Sequence, residues 1–534
     1  RYKDYPGLVA WHVANEYSTF CHCENCEKKF RLWLKKKYGT VEELNKRWNT
    51  SFWGRTIYNF DTIMLPTERN DDDRFFPAKQ LDYQRFVTDT TEECFLNEAN
   101  VLRRITPDIP VFSNISGFIK KLNQFQLTRN MDVVGWDNYP SPKDDAAFPA
   151  LKHDIMRALK DGASYMVAEQ SPNQQNWQPY NKLKKPGEVR LLAYQGIAHG
   201  ADSSLYFQMR QSIGGQEKFH GAIISHAGTD DTRIFREFEQ LGSELHQLGG
   251  QILDARIKAD VGILLDWDNW WALELCSGPT KDMDYLLQVA HYYRAFHKQN
   301  IAVDLVKFTS AFDSYKILVA PLVYMIKPGL AEHLIQFVNN GGTLIGTYMT
   351  GLADETDRCI WGAYPGPLRE LFGLWVEETD ALYPEEKNQI IMETGEHQTY
   401  TCSFLCDRLR LERAKVIGTY GSDFYAGEAC VTENAYGKGK AYYLGTQPDE
   451  EFLKVFIENV CQEEGVHPTL ETEEGIEVTC RENENGKFYF ILNHNQAEKQ
   501  VILPEGKWKN LIGKQPEDGK LHLKSRDVAV LKYE

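Results

Sequence analysis

No apolar run in the 534-residue sequence is long enough to cross a bilayer. The longest, at residues 317–326, is roughly ten residues and carries Pro321, whereas a spanning helix needs about twenty. Cationic residues are also in short supply, with 60 Lys and Arg against 76 Asp and Glu and a formal charge of −16. A field of that sign repels phosphate backbones and anionic lipid, which argues against nucleic acid and membrane partners. The chain opens Arg-Tyr-Lys with neither an initiator Met nor a signal-type apolar stretch, so processing or truncation is expected to have removed its natural start. A disulfide framework is missing too. The cysteine count of 11 is odd, and three fall in Cys21-His22-Cys23-Glu24-Asn25-Cys26, which fits a metal cluster in a reducing, cytoplasmic compartment.

Aromatic residues are plentiful at 12%, including 12 Trp, and flat rings suit sugar C–H faces. From the N-terminus to about residue 256, apolar runs of strand length alternate with helical segments. The runs at 8–14, 111–115, 133–136, 165–168 and 204–207 each end in polar residues, among them Asn15-Glu16, Asp137-Asn138-Tyr139 and Glu169-Gln170. Continuous apolar strands between helices predict a buried parallel sheet with its chemistry at the carboxyl ends, as in a (β/α)₈ TIM-type barrel, although only about five of eight strands can be counted. Residues 257–465 restart the alternation as a doubly wound α/β domain, with strands at 261–265, 303–306, 317–320 and 343–347 and helices at 282–298 and 328–340. That stretch has no Gly-rich phosphate loop and no G-x-S-x-G elbow, which favours a flavodoxin-like assembly domain over a second active site. Residues 466–534 read as a small antiparallel β-domain of short alternating strands with Asn/Gly turns.

Glycosidic cleavage needs one carboxyl near the leaving oxygen and another near the anomeric carbon. Trp11-His12-Val13-Ala14-Asn15-Glu16 releases an amide and then an acid at a strand end, and three strands later Tyr165-Met166-Val167-Ala168 leads into Glu169. Counted as the fourth and seventh strands of an eight-strand barrel, the two place their carboxyls over one mouth. Trp177 follows eight residues after Glu169, and Glu217-Lys218-Phe219-His220 sets a carboxylate and an imidazole three apart, able to fork onto adjacent hydroxyls or to bind a metal. Cys21, Cys23 and Cys26 have the spacing of a tight structural zinc loop. A fourth ligand is then required. Cys94 is the next cysteine in the sequence, and a residue upstream of Arg1 would serve equally.

These residues together resemble the β-galactosidases of glycoside hydrolase family forty-two, retaining enzymes on a (β/α)₈ barrel. The likeness runs from the acid/base strand at 8–17 through the zinc loop, through Gly135-Trp136-Asp137-Asn138-Tyr139-Pro140, Glu169-Gln170-Ser171-Pro172 and Asn176-Trp177, to the eighth-strand region at 198–221. It implies Glu16 as acid/base, Glu169 as nucleophile and Asn15 on the sugar 2-hydroxyl. It further implies that Tyr139 bonds the nucleophile, that Trp177, Glu217 and His220 shape the sugar subsite, and that a zinc ion and a homotrimer are present. In the family, three βα units carrying an Arg, an Asn and the fourth zinc cysteine precede the acid/base strand, and none is in this sequence. An open barrel and an incomplete zinc site are therefore expected. The sequence leaves two alternatives: a retaining β-glucosidase or α-L-arabinopyranosidase, and an inactive carbohydrate-binding fragment.

Overall fold

A computed structural model describes residues 2–67, 76–117, 119–393 and 398–533. Five parallel strand runs form the barrel wall. β1 (Trp11–His12) pairs with β2 (Val111–Phe112). After Ser113 the same run continues as β3 (Asn114–Ile115), followed by β4 (Gly135–Asn138), β5 (Tyr165–Gln170) and β6 (Ala201–Ser204) in one sheet. Among the described residues no strand pairs with the outer edge of β1 or of β6. The expected sequence of strands is therefore present, with two differences in extent. The apolar run at 8–14 is hydrogen-bonded as a strand only at Trp11–His12, because the chain turns immediately afterwards. The last strand lies at Ala201–Ser204 rather than 204–207.

Helices cover this wall where the 3.6-residue pattern is strong. The helix Pro77–Ile105 starts with Pro at its first turn, where a missing N–H costs nothing, and buries Leu81, Phe86, Val87 and Phe95. The helix Glu24–Tyr38 has Glu24 and Glu27 in its first turn and Lys35, Lys36 and Lys37 in its last, each sign matched to the helix dipole.

In the middle domain, Val303–Val306, Val261–Leu264, Ile317–Ala320, Thr343–Thr347 and Gly439–Leu444 lie side by side and parallel, in the 2-1-3-4-5 order of doubly wound folds. This sheet does not stop there. It continues through Ala429–Tyr436, Lys415–Tyr420, Asn388–Met392, Thr399–Leu411 and Leu374–Ala381 as antiparallel strands, to 11 strands in all with Thr446–Pro448. The sequence reading missed this half because its strands alternate polar and apolar residues, as sheets with one wet face do. The C-terminal β-domain holds a four-stranded antiparallel sheet and a two-stranded one.

The three parts meet at a buried ionic cluster. His199, just past the helix Glu188–Ala198, has Nδ1 2.9 Å from Asp154 Oδ1 and Nε2 2.7 Å from Glu477 Oε1. Arg157 Nη2 donates to Asp154 at 2.9 Å, and Tyr293 Oη, from the middle domain, donates to its other oxygen at 2.6 Å. His494 Nε2 lies 2.7 Å from Glu477 Oε2 and His297 Nε2 3.3 Å from it. Nearby, the fully buried Arg481 donates to the carbonyls of Ala255, Ile197 and Ala201 and to Asp202, the last two within β6.

Candidate active site

Glu16 and Glu169 stand at the carboxyl ends of β1 and β5. Beyond β1 the backbone turns sharply, with φ of 55° at Ala14 and 49° at Glu16, a left-handed conformation that side-chain-bearing residues adopt only when their surroundings enforce it. Asn114, nearly fully buried, does the enforcing. Its Oδ1 accepts the Glu16 backbone N–H at 3.0 Å and lies 2.8 Å from His12 Nε2, while its Nδ2 donates to Asn15 Oδ1 at 3.1 Å and Asp137 Oδ2 at 2.7 Å. One amide thus ties together the ends of β1, β3 and β4. Because Asn15 is held through its oxygen and is solvent-exposed, its own NH₂ is left to meet a ligand.

Carboxyl oxygens of Glu16, Asp137 and Glu169 lie within 4.8 Å of one another. Retaining glycosidases hold their two carboxyls about 5–5.5 Å apart, and inverting ones leave about 6.5–9.5 Å for a water. Tyr139 Oη donates to Glu169 Oε2 at 2.8 Å. Burial raises the pKa of Glu169, with the Glu16 carboxylate acting the same way and the Tyr139 hydrogen bond pulling it down. Burial and the Glu169 charge raise Tyr139 in turn, so the phenol stays an O–H donor. Asp137, wholly buried, is pushed up to about 10, by burial first and then by its Glu16 and Glu169 neighbours.

Aromatic rings wall one side. Trp177, about half exposed, has its ring centroid 4.9 Å from Tyr139 in an edge contact and 4.9 Å from His220 in a stacked one. His220 is fully buried, with its ring nitrogens 3.1 Å from Asn176 Oδ1 and 3.0 Å from the Phe207 carbonyl oxygen. Both ring nitrogens of His220 thus have partners within the protein. His220 backs the Trp177 ring from within, and Glu217 alone is exposed, close enough for its charge to act on Glu169. The loop is held close by Gly221, whose N–H donates to the Gln174 carbonyl at 2.9 Å, and where a Cβ would meet Asn173 backbone at 3.0 Å.

The thiols of Cys21, Cys23 and Cys26 converge within 4.8 Å of one another at the start of the helix Glu24–Tyr38. The Cys26 backbone N–H and the neighbouring thiols lower Cys23 to about 7. Three thiols drawn together are a donor set that suits a soft divalent metal. Cys94 does not join them, nor does any other His, Cys, Asp or Glu among the described residues.

Asp137 and Asn114 are the site residues that motif reading passed over. For Asp137 the signal existed, since residues two apart on a strand share a face and Tyr139 had already been singled out. The Asn114 contact with Asn15 spans 99 positions, and no local spacing encodes it.

Comparison with known proteins agrees along the whole chain. Residues 1–248 match the family described as Beta-galactosidase, residues 259–467 the Beta-galactosidase trimerisation domain, and residues 475–533 the Beta-galactosidase C-terminal domain. A β-galactosidase from Planococcus sp. is 45% identical over 99% of this chain and 80% of its own length, and one from Geobacillus kaustophilus is 44% identical over 100% and 79%. The crystal structure of the β-galactosidase from Bacillus circulans sp. alkalophilus superposes with a TM-score of 0.97 at 44% identity, covering 100% of this chain and 80% of that one.

Proposed function

Because the chain belongs to the β-galactosidases of glycoside hydrolase family forty-two, we propose that its paired glutamates hydrolyse terminal non-reducing β-D-galactosides by double displacement. The observation that carries the reading is the convergence of Glu16 and Glu169 carboxyl oxygens within 4.8 Å, on the short side of the gap that inverting enzymes keep. The Glu169 carboxylate attacks the anomeric carbon, Glu16 gives its proton to the leaving oxygen, and a galactosyl ester forms as the bond to the aglycone breaks. Water then attacks the same carbon, Glu16 takes the water's proton, and the ester bond breaks to restore both groups. Tyr139 orients Glu169 through its hydrogen bond, and the free NH₂ of Asn15 meets the 2-hydroxyl. Trp177 offers the sugar a ring face, and Glu217 accepts from an outer hydroxyl. On a panel of nitrophenyl glycosides, kcat/KM should be at least about tenfold higher for the β-D-galactoside than for the β-D-glucoside or α-L-arabinopyranoside. A reversed order would overturn the sugar assignment.

Cys21, Cys23 and Cys26 would hold a structural zinc ion, which ties the loop after Glu16 to the helix behind it and takes no part in the reaction. Metal analysis should find about one zinc per chain, and Cys23→Ser should lose most of it and melt a few degrees lower. Less than half an equivalent in the native protein, with Cys23→Ser fully stable, would count against the site. A homotrimer is supported by the match to a trimerisation domain and by exposed aromatics on it, Trp361 at 96% and Phe424 at 74%. Light scattering should return three times the chain mass, and a monomer at micromolar concentration would refute it. Eleven unpaired cysteines favour a cytoplasmic location, and no helix among the described residues is long and apolar enough to cross a membrane.

A further inference from the structure

The double displacement uses two carboxyls, and the site holds three. Asp137 is 0% exposed, its Oδ2 accepts from Asn114 at 2.7 Å, and its Oδ1 is buried with no hydrogen-bond partner. The titratable groups around it are Glu16 and His12 from the β1 end, Tyr139 just past the end of its own strand and Glu169 from β5, and the charges acting on it are those of Glu16 and Glu169. Once Glu16 has given up its proton, an ionised Asp137 would be a desolvated anion with no donor at Oδ1 and the Glu16 carboxylate within 4.8 Å of its carboxyl. As a carboxylic acid it loses the charge and Oδ1 becomes a donor.

We propose that Asp137 is a positioning residue for the acid/base: it stands as the neutral carboxylic acid, and its Oδ1–H is the donor that Glu16 meets once Glu16 has passed its proton to the leaving oxygen. This rests on the roles given to Glu16 and Glu169 above. Asp137 keeps its proton throughout. The hydrogen bond forms as Glu16 becomes a carboxylate and is released when Glu16 takes a proton from water in the second step. The same surroundings push its pKa up to about 10. Asn114 fixes the carboxyl through its other oxygen, so Oδ1 is kept from rotating away.

The test compares wild type, Asp137→Asn and Asp137→Ala by the pH dependence of kcat/KM on nitrophenyl β-D-galactoside, with melting temperatures measured alongside. Asn keeps a neutral donor, so kcat/KM should stay within about tenfold of wild type and the alkaline limb, which reports proton loss from Glu16, should not move. Ala removes the donor, so kcat/KM should fall about a hundredfold and the alkaline limb should rise by about one pH unit. An alkaline limb that drops by a unit or more in Asp137→Asn would mean that the Asp carried a charge, and the proposal would be wrong. An inactive Asp137→Asn with native melting, or an Asp137→Ala profile that matches wild type, would overturn it equally. If the Ala variant does not fold, the Asn comparison decides alone. A wild type inactive on the galactoside would instead sink the reading of the catalytic pair.

Discussion

Glu169→Gly is expected to turn over ordinary β-galactosides roughly three to five orders of magnitude more slowly than wild type, and azide is expected to restore turnover with an inverted galactosyl azide as product. The loss is large because no other group can take the place of the attacking carboxylate. Burial alone still keeps the Tyr139 phenol protonated in the variant, and burial with the neighbouring Glu16 holds Asp137 as an acid. Removing the side chain leaves a gap beside Tyr139 that a small anion can enter, on the face from which Glu169 would have attacked. Glu16→Ala should behave differently: substrates with good leaving groups would still form the galactosyl ester, and azide would yield the retained product. Chiral analysis of the two azides separates the roles. Near-native turnover by Glu169→Gly, or a retained product from it, would show that the two glutamates have been assigned wrongly.

The second large effect is expected far from the chemistry. Glu477→Gln should destabilise the protein by about 3–5 kcal/mol, since it leaves the wholly buried His199 imidazole without its charged partner on one side. A loss below about 1 kcal/mol in denaturant titration would contradict this. The pH dependence has a defined sign. Burial alone would lower His199, but Asp154 and Glu477 raise it from 6.5 to about 10. Its contribution is therefore fully present below about pH 6.5 and fades as the pH rises toward 10. Burial alone would raise Asp154 and Glu477, but His199, with Arg157 for Asp154 and the other two imidazoles for Glu477, lowers Asp154 to about 2 and Glu477 well below 4.5. Their contribution is present above the ordinary carboxylate range and is lost as the pH falls through it. The cluster should thus stabilise most between roughly pH 4.5 and 6.5, and Glu477→Gln should flatten the stability profile on both sides.

Much of this architecture was written locally in the chain. The parallel strands were legible because each is a continuous apolar run that stops at a polar pair, and the same rule exposed Glu16 and Glu169. What escaped depended on partners distant in sequence. The long strand Thr399–Leu411 alternates buried Tyr400 and Cys402 with exposed Thr399 and Thr401, a pattern shared with ordinary surface segments until its neighbours are known. The spacing of Glu217-x-x-His220 likewise says nothing of burial, and the imidazole lies behind Trp177, beside the carbonyl of Phe207. Cys94 was the nearest cysteine along the chain, yet the helix Pro77–Ile105 carries it away from the other three.

Arg481 bears on how such a protein can be recombined. Its guanidinium is wholly buried and is neutralised by Asp202 beside three main-chain oxygens contributed by residues 197, 201 and 255, so the last sheet brings a cation that only this particular strand end can receive. Grafted onto an unrelated scaffold, the same sheet would arrive with an unneutralised charge at its inner surface. Without the sheet, three carbonyls at the end of the helix before β6 and beyond would turn to water. The first and last segments are therefore constrained to be inherited as one unit, and a chimera that exchanges residues 475–533 alone should be tolerated only when the donor brings an arginine at this place.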